Sequence, residues 1–67
     1  MLTIAWVKYN DTIDILEIRN FLFKRKLVAE ITIYEIWKAG ELICNTSEYP
    51  EFIKSATAII EYKIGYR

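Results

Sequence analysis

The sequence predicts a small α+β domain: a β-α-β-β-α open-faced sandwich with two helices on one face of a three-stranded sheet. Three observations lead there. Residues 2–9 and 27–37 are rich in β-branched and aromatic side chains, residues 12–25 and 50–64 carry helical periodicity, and Gly40 sits between two extended stretches. At 67 residues the chain has room for one core and one domain.

The first element, "LTIAWVKY" (2–9), has no breaker and ends at Asn10-Asp11, as a strand does. Its two sides, Leu2/Ile4/Trp6 and Thr3/Ala5/Val7/Tyr9, are both largely apolar, which fits a strand covered on both faces. The second, "TIDILEIRNFLFKR" (12–25), clusters Ile15, Leu16, Ile18, Leu22 and Phe23 on one helical arc, with Asp14, Glu17, Asn20 and Lys24 opposite. Asp11 or Thr12 would cap this helix, and Lys24-Arg25-Lys26 would sit at its C-terminal end, where cations suit the dipole. The opening "TIDI" also alternates like a strand. That alternative turns the N-terminal half into a β-hairpin at Asn10-Asp11, giving a larger antiparallel sheet with one C-terminal helix.

"LVAEITIYEIW" (27–37) alternates Leu27/Ala29/Ile31/Ile33 against Val28/Glu30/Thr32/Tyr34/Ile36 and reads as one strand. Lys38-Ala39-Gly40-Glu41 follows as a tight turn, since Gly40 accepts positive φ, and "ELICN" returns antiparallel. Thr46-Ser47 offer capping hydroxyls and Pro50 suits a first turn. Phe52, Ile53, Ala56, Ile59, Ile60 and Ile64 then form one helical arc, with Gly65 as its stop. In this arrangement one sheet face stays open, carrying Glu30, Thr32 and Tyr34 beside Thr3, Ala5, Val7 and Tyr9.

Composition narrows the function. The chain is 54% hydrophobic, so it folds, but a core of this size supplies only about 3–5 kcal/mol and small domains lean on a staple or a partner. Cys44 is the only cysteine and there is no histidine, so neither a disulfide nor a transition-metal site is expected, and no cofactor. Association remains, and a homodimer is the expected form. Nine Lys/Arg against nine Asp/Glu lack the basic excess of a phosphate-binding protein. The start has no leader-like pattern and no apolar run reaches a membrane span, so a reducing cytoplasm is the expected setting.

Catalysis has few candidates. There is no imidazole base, Cys44 has no activator, and Asp11/Asp14 and Glu48/Glu51 read as helix-start carboxylates. The expected function is therefore a non-enzymatic module that binds protein. It associates with itself and modulates a second partner, and the twelve isoleucines against five leucines fit a phage- or plasmid-type regulator or inhibitor of a host factor. Arg19, Tyr9, Tyr34, Trp37, Tyr49 and Tyr62 are the expected partner contacts, because arginine and large aromatics anchor interfaces. The alternative is a nucleic-acid-binding regulator using Lys24, Arg25 and Lys26 on phosphates and exposed tyrosines on bases.

Overall fold

The stretch expected to be the first helix is two strands. The computed structural model describes residues 3–61, and in it the chain runs β1 (Val7–Lys8), β2 (Ile13–Ile18), β3 (Phe21–Val28), β4 (Ile31–Lys38), β5 (Glu41–Thr46) and α1 (Tyr49–Ile60). The five strands form one antiparallel sheet in chain order, with one helix after it. The three-stranded sheet with two helices is thereby overturned, and the larger antiparallel sheet with one C-terminal helix is the architecture present. Ile13, Ile15 and Ile18 are β-branched residues, whose restricted χ1 suits a pleated surface better than a helix. Leu2, Tyr62, Ile64 and Gly65 lie outside the described residues.

Two further expectations change with this topology. The uninterrupted strand 27–37 is split by a two-residue turn at Ala29-Glu30, between Val28 and its partner Ile31. The first strand is short, with only Val7 and Lys8 paired to Ile15 and Asp14. Asn10 turns the chain between β1 and β2. Its Oδ1 accepts from the backbone N–H groups of Thr12 and Ile13, both at 2.9 Å, as an Asx turn does.

Ala29 (φ 51°) and Glu30 (φ 67°) occupy the left-handed region that a type I′ hairpin demands, and Ala39 (φ 51°) and Gly40 (φ 83°) do the same between β4 and β5. Only Gly40 is suited to it, because a Cβ in this region costs about 1–2 kcal/mol. Glu30→Gly is therefore expected to stabilise the protein by about 1 kcal/mol, raising the melting temperature by roughly 4–8 °C for a domain this small. Thermal melts of the two proteins check it; an unchanged or lower midpoint would show that the turn is not strained.

Strand pairing sorts the side chains into two faces. Phe23 pairs with Leu16 on one side and Ile36 on the other, and Ile36 with Cys44, so these four point to the same face. α1 covers that face with Phe52 and Ala56, and with Ile4, Phe21, Phe23 and Ile36 they form the buried core. Cys44 packs against it, half-buried, as expected of a small apolar residue. The helix begins at Glu48 without a side-chain cap. Thr46 instead accepts from the Glu48 N–H through Oγ1 at 3.0 Å, just outside the helix, and Pro50 lies in the first turn as the sequence indicates.

Candidate functional site on the open face of the sheet

The opposite face has no helix among the described residues. Strand periodicity places Ile13, Ile15 and Glu17 of β2, Leu22, Lys24, Lys26 and Val28 of β3, and Ile31, Ile33, Glu35 and Trp37 of β4 there together. Val7 extends it from β1 and Leu42 and Asn45 from β5. Val7 is 58% exposed, Ile31 55% and Val28 52%. The expected open-face residues Thr32 and Tyr34 point instead to the helix side, and Glu30 lies in the turn, because the Ala29-Glu30 hairpin resets which residues of β4 face which way.

At the centre of this face lies a buried carboxylate. Glu35 is only 5% exposed although no second layer covers it among the described residues. Trp37 Nε1 donates to its Oε1 at 2.9 Å, and Lys26 Nζ sits 3.0 Å from Oε2. Lys24, directly opposite Glu35 on β3, holds its ammonium over the Trp37 ring, 5.5 Å from the centroid. Burial alone would raise the Glu35 pKa. The Trp37 and Lys26 hydrogen bonds, with the charges of Lys26 and Lys24, outweigh it and hold the carboxyl below its ordinary value of 4.5. Glu35 is thus a carboxylate at neutral pH, charged and fully paired beneath its neighbours' side chains.

The expected contact residues divide between several places. Trp37 is at the heart of the open face. Tyr9, 67% exposed, borders a hollow there with Ile13, Ile15, Leu22 and Lys24. Tyr34 lies across the sheet against Phe52, with centroids 4.9 Å apart, and Tyr49 leans on Tyr34 at 5.3 Å, so both belong to the aromatic packing under the helix. Arg19 is not on a helical arc but in the β2–β3 turn, with φ 57°. It lines a hollow of about 460 Å³ at the end of the open face, together with Glu17, Lys24 and Trp37. Tyr62 lies outside the described residues.

The basic triplet is mid-strand, not at a helix end, and alternation divides it. Lys24 and Lys26 lie on the open face, while Arg25 points to the helix side. Its Nε and Nη2 donate to one Asp14 oxygen at 3.0 and 2.7 Å, and its guanidinium stacks 4.9 Å from the Trp6 centroid. Asp14 and Asp11 therefore do not start a helix; Asp14 holds Arg25, and Asp11 faces Lys8 at the surface, at 3.7 Å. Among the described residues no three His, Cys, Asp or Glu side chains gather as a metal site. No helix among the described residues is long and apolar enough to cross a membrane. No family model, characterised protein or solved structure matches the chain.

Glu35, Ile15, Leu22, Ile31 and Ile33 also belong to this face and are not among the contacts expected from the sequence. For Ile31, Ile33 and Glu35 the signal is the period-two run Ile31-Ile33-Glu35-Trp37, in which one acid sits among three large apolar residues.

Proposed function

We propose that the chain is a non-enzymatic protein-binding module that works through the uncovered sheet face, modulating what it binds in a reducing cytoplasm. The observation that carries this is the face itself. It presents Val7, Ile13, Ile15, Leu22, Val28, Ile31, Ile33, Trp37 and Leu42 around a single satisfied ion pair. Contiguous apolar surface rimmed by polar residues marks an association site, and Trp37 is the kind of residue that anchors one. Catalysis finds little support here. Glu35 and Asp14 are each committed to a cation, and Cys44 lies against the core on the other side. A nucleic-acid surface finds less support than a protein one, because Arg25 is turned away and Lys24 and Lys26 share their face with Glu17 and Glu35.

Size fractionation of the tagged chain in extract of its native host tests the reading. The chain is expected to elute well above its monomer mass of 8.0 kDa. Ile33→Lys, which sets a second cation beside Lys26, is expected to return it to monomer with its circular dichroism unchanged. Elution as a folded monomer without the substitution, or a large complex indifferent to it, would overturn the assignment of this face.

A further inference from the structure

We infer that the occupant of the open face is a second copy of this chain, stacked sheet on sheet about a twofold axis. The inference rests on reading that face as a protein-binding surface. Two properties select a second copy over an unrelated partner, namely charge and area.

In a twofold contact the same patch meets itself, so a patch with net charge repels its own copy. On the strands of this face the charged side chains are Lys24 and Lys26 against Glu17 and Glu35, which sum to zero, with Arg19 in the turn at its end. Their arrangement is also self-complementary. An axis running along the strands between β3 and β4, the middle of the four long strands, carries each β3 position over its β4 partner position in the second copy. Since Lys24 pairs with Glu35, Leu22 with Trp37 and Val28 with Ile31 in register, Lys24 of one copy meets Glu35 of the other. Leu22 likewise meets Trp37, and Val28 meets Ile31. Lys24 makes no ion pair among the described residues and gains one, and Glu35 enters the contact already satisfied, while Glu17 on the outer strand β2 is exposed.

The area suffices without being large. Strands of six to eight residues, at roughly 3.3 Å per residue and 4.8 Å between strands, give four strands a flat face of about 20 by 23 Å. With side-chain relief, two such faces bury on the order of 1,000 Å², the lower limit for a specific interface. The dimer therefore dissociates on dilution, unlike an obligate one.

Leu27 and Val28 provide a matched test, being adjacent, equally exposed at 51% and 52%, and on opposite faces of the sheet. Molar mass of the purified chain by light scattering, over a hundredfold dilution from about 1 mM, is the measurement. A mass near twice 8.0 kDa at the top of the range, falling on dilution, is expected. Val28→Lys should weaken association at least tenfold, and Leu27→Lys should leave it unchanged. Ile31→Lys, at an equally exposed position opposite Val28, is the second variant if the first perturbs the fold. A monomer at every concentration overturns the second copy while leaving the protein-binding reading to the extract measurement. A dimer that Val28→Lys and Ile31→Lys leave intact, or that Leu27→Lys disrupts equally, places the contact elsewhere and overturns the inference.

Discussion

Phe52→Ala is expected to leave the chain unfolded at room temperature. Phe52 is fully buried and is the hub of the aromatic layer between helix and sheet. Its ring stacks on Tyr34 and Trp6, at 4.9 and 5.9 Å, and meets the edge of Phe23 at 6.2 Å. Truncating a buried phenylalanine to alanine costs about 3–5 kcal/mol, through lost transfer energy and the cavity left behind. A domain this small holds only about that much in total. Phe52 and Ala56 are the helix's only fully buried residues among those described, with Ile53, Ile59 and Ile60 packed partly buried beside them. Far-UV circular dichroism and urea titration decide the matter. A variant with near-native spectrum and midpoint would mean that the Phe52 ring is not what holds helix and sheet together. Phe52→Leu, which keeps most of the volume, should retain the fold at a lower midpoint.

Lys26→Met is expected to be the most costly change on the open face, and to become less costly in acid. It removes the ammonium 3.0 Å from Glu35 and leaves the buried carboxylate with the Trp37 indole and the more distant Lys24. Breaking a fully buried pair costs about 3–5 kcal/mol and an exposed one under about 1. Lys26 is about a third exposed and Glu35 hardly at all, so a loss of about 2 kcal/mol is expected. The pH dependence follows from the lowered Glu35 pKa. The carboxyl is more acidic folded than unfolded, so its contribution is complete above the ordinary value of 4.5 and is lost as pH falls through the lower folded value. In Lys26→Met the folded pKa rises, and that acid-sensitive contribution shrinks or changes sign. Lys26→Met/Glu35→Met should recover most of the loss at neutral pH, because a well-packed apolar pair does about as well as a buried ionic one. Urea midpoints for the three proteins at pH 7 and pH 4 test this. Equal destabilisation by the single variant at both values would show that the pair carries no linked proton.

Half of this fold is legible in the chain. The hairpin at Lys38–Glu41, the return strand and the C-terminal helix follow from one glycine, one proline and a clean apolar arc. The N-terminal half is obscured for two physical reasons. First, β2 lacks the apolar-polar alternation of a half-solvated strand. Its open side carries Ile13 and Ile15, and its covered side carries Asp14, which is admitted there only because Arg25 and Trp6 lie beside it. That mixture places apolar residues at helical spacing as well. Second, the turns at Arg19-Asn20 and Ala29-Glu30 have no glycine or proline, so apart from Asn20 little in the sequence marks where the chain reverses. Of the site, Trp37, Tyr9, Lys24 and Lys26 were recognisable as residue types. Glu35 was not, because a single acid in an alternating strand resembles a solvated position until its indole and ammonium partners are brought beside it.

The meander order bears on how the chain reaches this structure. Every strand pairs with its immediate neighbour in sequence, and the β2–β3, β3–β4 and β4–β5 connections close over two residues each. Little chain must be confined before a contact forms, so loop-closure entropy is small at every step, and topology of this kind favours rapid folding for a sheet protein. The helix is also local, following β5 directly and packing on β5 and β4. Zippering can thus proceed from the Ala39-Gly40 turn outwards, with the open face complete while the chain is still alone. If a second copy stacks on this face as proposed, it meets a finished surface, and assembly is then a separate, concentration-dependent step after a fast unimolecular one.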